Sequence, residues 1–200
     1  MKRIALAAGV LAAVVLGAPA AEARFIDLHA QANGGGIAGW GSSSTPDFFD
    51  HTRGAALGAE VGLKLLIFDL SAGFTQVFDG SGTSGTLSQV VFAVDIDVPV
   101  GDAKLPNGQS VNIIHPSLGT GFAFGTNGPV NPPLDASQIS DKGIVVPLKV
   151  GYEYFLNPFM SVGAEGMFGY HYFFIGSSLN EHSSGFHFAG YGVLKFHLGY

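Results

Sequence analysis

Cysteine is missing from this chain, so disulfides, thiol chemistry and Cys-based metal sites have no part in it. Charge is scarce: Asp, Glu, Lys and Arg together make 12% of the 200 residues, with a formal net charge of −6. Such a sparse, acidic set does not supply the basic patch that nucleic acid demands, and no nucleic-acid partner is expected. Past the N-terminus no apolar run is long enough for a membrane-spanning helix. No nucleophile–base spacing stands out either, so no enzymatic activity, cofactor or metal centre is expected.

The N-terminal apolar run is itself short. Met1-Lys2-Arg3 is a positive start, and Ile4 to Leu16 is an apolar stretch of about 13 residues, short of the ~20 that span a bilayer. Ala21-Glu22-Ala23 has the A-x-A form of a cleavage site. Residues 1–23 are therefore expected to be a cleaved signal peptide, and residues 24–200 one exported domain.

What the chain has in quantity is glycine (30), phenylalanine (17) and a two-residue rhythm. Ile26, Leu28, Ala30 and Ala32 alternate with Asp27, His29 and Gln31 in a first strand over 25–32, and a Gly/Ser-rich loop over 33–53 follows. The second strand is the most regular: Ala55, Leu57, Ala59, Val61, Leu63, Leu65 and Ile67 on one face, Gly58, Glu60, Gly62 and Lys64 on the other. The phase flips at Phe68-Asp69, which predicts a tight hairpin there, before Leu70, Ala72 and Phe74 resume the apolar face. After a loop over 79–85, Val90, Phe92, Val94, Ile96 and Val98 point out while Gln89, Asp95 and Asp97 point in. Residues 99–110 read as the next turn. A fifth strand over 111–124 holds Pro116, which predicts a bulge or a late start because proline cannot donate to a ladder.

A long loop over 125–142 leads to the sixth strand, with Ile144, Val146, Leu148, Val150, Tyr152 and Tyr154 out and Lys149 and Glu153 in. Asn157-Pro158 reads as a short turn. The seventh strand puts Met160, Val162, Ala164, Phe168, Tyr170 and Tyr172 out, against Ser161, Gly163, Glu165 and His171, and an eighth covers 186–200. The tyrosine pairs 152/154 and 170/172 suit aromatic girdles at two membrane interfaces.

The final strand alternates Leu194, Phe196, Leu198 and Tyr200 with Lys195 and His197 and stops on an aromatic residue. This ending resembles the C-terminal strand of bacterial outer-membrane barrels, which the assembly machinery reads. Together with the signal peptide and eight amphipathic strands, it makes the chain resemble the OmpA/OmpX-type eight-stranded outer-membrane β-barrels over nearly all of its mature length. The resemblance implies an all-β fold: an eight-stranded antiparallel up-and-down transmembrane β-barrel with a polar, plugged interior. It also implies residence in the outer membrane of a Gram-negative cell, contact with outer-membrane lipid, engagement of the barrel-assembly machinery through the C-terminal strand, and loops free to meet an extracellular partner.

An eight-stranded barrel is just wide enough for its side chains to fill. The inward set of Asp27, Glu60, Lys64, Asp95, Asp97, Lys149, Glu153, Glu165 and Lys195 is expected to form a lumen charge network, since a buried unpaired charge is costly. Symmetric pairing about Asn157 would set Lys149 opposite Glu165, and closure would bring Asp27 near Lys195. The expected role is structural, or adhesive through the loops. A low-conductance pore is the alternative. A lipid A-modifying enzyme would draw on His171 or His187 with Ser183 or Ser184, and His182 with His187 is a weak metal pair. A secreted carrier of a lipophile would need an apolar lumen.

Overall fold

A computed structural model describes residues 26–41, 53–78, 83–129, 139–175 and 183–199. The expected signal peptide, Tyr200, His182 and most of the long loops lie outside the described residues. Nine strands occur among those described: β1 (Ile26–Gly41), β2 (Arg53–Leu65), β3 (Phe68–Phe78), β4 (Thr83–Asp95), β5 (Val98–Pro99), β6 (Asn112–Pro129), β7 (Ile139–Asn157), β8 (Met160–Ile175) and β9 (Ser183–Gly199). Eight of them form an antiparallel sheet in the order β4-β3-β2-β1-β9-β8-β7-β6, and β4 pairs with β6 to close it into a barrel. Closure leaves no sheet edge along the wall, the condition for a β-structure in hydrocarbon.

The two-residue rhythm sets the faces. Leu57, Val61, Leu70, Phe92, Phe122, Leu148, Val150 and Phe196 are exposed on the outer wall, while Asp27, His29, Gln31, Asp95, Glu153, Glu165 and His197 are buried. A water-soluble barrel would invert this pattern, since burying charge in place of leucine costs several kcal/mol per group on the order of magnitude of the desolvation penalty.

Several boundaries differ from the sequence reading, each for a local reason. β1 runs on to Gly41, through the stretch expected to be loop, because Asn33 to Ala38 find ladder partners in β2 and β9 on either side. The first hairpin turns at Leu66-Ile67, with Leu65 facing Phe68, so Asp69 is a strand residue opposite Lys64 and points inward. Leu66 holds φ at 56°, a conformation that usually selects glycine, and no Gly or Asn marks the turn in the sequence. The second tight turn is at Pro158-Phe159, one residue later than expected, after a register shift between Phe155 and Asn157.

Pro116 produces neither a bulge nor a late start: β6 begins at Asn112 and keeps one register with β7 past Pro116. The carbonyl of Pro116 accepts from the Ile96 N–H (3.1 Å), so its missing donor faces β4, where the ladder ends at Asp95 and Ser117. β5 resumes the same register against β6 and forms the root of a hairpin that runs beyond the barrel wall, with a bridge between Lys104 and Ser110. Ile96 is buried rather than outward: Asp95 N–H donates to Ile67 O (2.8 Å), which draws the Leu66-Ile67 turn alongside it.

The barrel therefore has a turn end, bearing the two tight hairpins and the β5–β6 extension, and a loop end, where the longer connections lie.

Candidate functional site

The lumen divides into two halves of different chemistry. Around the turn end, every strand except β5 sends at least one polar or charged side chain inward. Lys64 donates to Asp95 Oδ1 (2.6 Å) and Asp97 Oδ1 (2.7 Å), bracing β2 against β4 and the root of the hairpin. Glu153 gathers four partners. Lys195 donates to its Oε1 (2.9 Å) and Ser161 to its Oε2 (3.0 Å), while His115 (3.2 Å) and His197 (3.3 Å) lie within ion-pair reach. Further up, Lys149 reaches across the lumen from β7 to Glu60 on β2 (3.0 Å) and lies 3.9 Å from Glu165.

Each expected lumen residue has a definite place in this array. The register sets Lys149 opposite Met167 and Glu165 opposite Gly151, two residues from the pairing symmetric about Asn157, because the turn is centred later, at Pro158-Phe159, and the shift between Phe155 and Asn157 takes back only one residue. Lys149 and Glu165 are diagonal neighbours, and the nearer partner is Glu60 on the opposite side of the barrel, with β1, β9 and β8 between in one direction and β3, β4 and β6 in the other. Closure puts Lys195 opposite Gln31 and Asp27 opposite Gly199. Asp27 meets His197 Nδ1 at 2.7 Å instead.

Histidine joins the array, a contribution beyond the expected charge network. His29, His115 and His197 are buried beside carboxylates, and His29 Nε2 lies 3.8 Å from Asp69. All three fall on the inward parity of their strands, which was the signal available. The carboxylates Asp27, Glu60, Asp69, Asp95, Asp97, Glu153 and Glu165 outnumber Lys64, Lys149 and Lys195, and the imidazole nitrogens face several of them.

Asp27, His197 and Ser161 also have the order and spacing of a nucleophilic triad: 2.7 Å from Asp27 to His197 Nδ1, then 3.1 Å from His197 Nε2 to Ser161 Oγ. Ser161 is fully buried, its hydroxyl also contacts Glu153, and the Phe155 ring packs 4.9 Å from His197. A nucleophile must meet a reacting carbon, and this serine instead ties β8 to β7 and β9.

Toward the loop end the lumen becomes apolar. Leu87, Val91, Ala93, Ala123, Val145 and Phe173 pack as one buried cluster, and Ile37, Ala56, Val77, Met167, Ala189 and Tyr191 as another. Apolar side chains thus share the lumen with the polar set. His171 and His187 sit at this level, fully buried and bonded to each other (2.6 Å), so neither projects into a loop. Ser184 lies opposite Tyr172, the Ser183 side chain lies outside the described residues, and among those described no three His, Asp or Glu groups converge to hold a metal. Among the described residues, two lumen cavities along Glu60, Ser71, Val91, Lys149 and Glu165 measure about 30 and 20 Å3.

No family model matches the sequence, and no curated protein matches it. Among solved structures, the chain is similar to Neisserial surface protein A (NspA), with a TM-score of 0.57 at 13% identity over 84% of this chain and 96% of that one. The fold is that of the OmpA/OmpX-type eight-stranded outer-membrane β-barrel. The N-terminal β-barrel domain of Pseudomonas aeruginosa OprF (TM-score 0.48, 15% identity, 88% and 100% covered) and Ail, the attachment invasion locus protein of Yersinia pestis (0.38, 12%, 86% and 99%), also match. An outer-membrane barrel of this size has its lumen as the enclosed space and its loops and outer wall as the surfaces for encounter.

Proposed function

We propose that this protein is an integral outer-membrane barrel whose lumen is closed to ions, with a structural role or an interaction role exercised through its loops. The N-terminus enters from the periplasm, so the two tight hairpins and the β5–β6 extension are periplasmic and the long connections face outward. Trp40, Phe78, Phe174, Phe186 and Phe188, exposed near the loop end, and Phe68, Tyr152, Tyr154 and Phe159, exposed near the turn end, suit the two interfacial belts. The C-terminal strand, with Leu194, Phe196 and Leu198 exposed on one face, suits recognition by the assembly machinery.

One observation supports a closed lumen above the others. The apolar layer of Leu87, Ala123, Val145 and Phe173 stands in series with the ion-paired layer below it, and the spaces beside Lys149 have room for about one or two waters each. An ion that shed water to enter would meet hydrocarbon rather than carbonyls or carboxylates. Planar-bilayer recording tests this. Purified protein is expected to insert without unitary current, and reproducible steps that change in Lys149→Ala would replace the closed barrel with a low-conductance pore.

A further inference from the structure

Two imidazoles interrupt the apolar layer at the loop end of the lumen. His171 on β8 and His187 on β9 are fully buried there, with His171 Nε2 2.6 Å from His187 Nδ1. The Phe173 ring packs on His171 at 5.6 Å between centroids, and the His187 ring fills the space that a side chain at Gly169 would need. Val145 on β7 and Gly185 on β9 flank His171 in the ladder, while Gly169 on β8 and Gly39 on β1 flank His187. The other four strands present Ala56, Val77, Leu87 and Ala123 to this layer. Among the described side chains, the charged groups that follow along the same strands are Lys149 on β7, beyond Pro147, and Glu165 on β8, beyond Met167. Both lie toward the turn end, as does the Tyr191 phenol on β9. Asp141 lies at the loop end of β7, paired with Gly125.

A contact this short between two ring nitrogens has room for one proton. One nitrogen donates and the other accepts, whereas two imidazolium rings would aim N–H groups at each other. The contact is open to a neutral pair, or to a pair sharing one added proton, and closed to two cations. An added proton also needs a place for its second N–H. His187 Nε2 is buried with no hydrogen-bond partner among the described residues, and the surrounding side chains are hydrocarbon. Water arriving from the loop end supplies both the missing acceptor and the solvation of the charge.

We propose that the His171–His187 contact makes the loop-end seal acid-sensitive: shut while the two rings are bonded to each other, and wetted from outside once protonation parts them. The switch rests on the closed-lumen reading above and adds a condition to it, the pH of the outer medium. The only chemistry is transfer of a proton from the medium to a ring nitrogen. The ion-paired layer stands in series toward the turn end, so the released state is a wetted vestibule and not a through pore.

The chain has no cysteine, so one introduced thiol can report on this layer. Ala189→Cys places it on the strand of His187, facing the same way, at a fully buried position. A small charged methanethiosulfonate, added to the barrel in lipid vesicles, modifies the thiol when water reaches it. Rates are measured at about pH 7.5 and about pH 5.5, either side of the ordinary imidazole range. The same thiol in a His171→Gln/His187→Gln background is measured at each pH, which cancels the thiol's own response. With the histidines present, modification is expected to be slow at the higher pH. On acidification it should gain on the Gln background by about tenfold per pH unit, the linkage for one proton taken up on opening. Equal rates in the two backgrounds at the lower pH would overturn the switch and leave the seal standing. Fast modification at the higher pH with the histidines in place would overturn the closed-lumen reading itself. Heat-modifiable migration checks that each variant is folded. If the Gln background fails that check, the unsubstituted chain carries the test through the nitrogen–nitrogen coupling across the short contact. That coupling must vanish over the pH interval in which labelling begins, and its survival through the interval would overturn the switch.

Discussion

A Cβ placed on Gly151 would run into the His115 ring, and one placed on Gly62 would run into His29. Glycine at these inward positions makes room for an imidazole across the ladder. On the lipid-facing side, a Cβ on Gly190 meets nothing within 4 Å. Gly151→Ala should therefore destabilise by about 1 to 3 kcal/mol, the usual cost of overpacking. Gly190→Ala should be neutral or gain up to about 1 kcal/mol by restricting the unfolded chain. Urea unfolding in lipid vesicles distinguishes the two, and equal effects would mean the inward glycines are not spacers. Leu66 tests the same conformational argument from the other side. With φ at 56° it holds a shape that costs an L-residue about 1 to 2 kcal/mol, so Leu66→Gly should raise the unfolding midpoint despite adding flexibility.

At the scale of the strand, alternation made most of this molecule readable. β2 and β7 follow the expected faces residue for residue, because each has one face toward the lumen and a single slip would expose Lys64 or Lys149 on the outer wall. The turns were less readable: Leu66-Ile67 lacks turn residues and is set by where Lys64 and Asp69 can both point inward. Pro116 misled for a related reason, since its cost depends on whether β4 still needs a donor at that position, a fact of pairing and not of sequence. The histidine contacts were hidden likewise, as they join residues as distant as Asp27 and His197. That contact crosses the seam between the first and last strands, β1 and β9. His197→Leu would take one partner each from Asp27 and Ser161, so the variant should unfold about 1 to 3 kcal/mol more easily, the cost of removing a hydrogen-bond partner from buried polar groups. The readout is the temperature at which heat-modifiable migration is lost. An unchanged temperature would show that backbone pairing alone secures the seam.

For the whole molecule, the question is what a narrow cylinder gains from charges in its middle. Lys149 and Glu60 sit on strands far apart around the wall, and their 3.0 Å contact spans the lumen as a tie between opposite sides. A buried pair is weak grounds for stability, because well-packed apolar replacements often match it, yet removing one partner leaves a stranded charge. Lys149→Ala should therefore cost about 3 to 5 kcal/mol by exposing Glu60 and Glu165 to each other without a cation. Lys149→Met combined with Glu60→Leu and Glu165→Gln should recover most of that loss, since the apolar layer of Leu87, Val91 and Met167 adjoins the same space. Vesicle unfolding measures the stability, and bilayer recording on the same variants measures leakage. Recovery of stability with a still silent lumen would assign the seal to the apolar layer. If the triple variant stays as unstable as Lys149→Ala, the ions hold the two sides of the cylinder together in a way that hydrocarbon cannot replace.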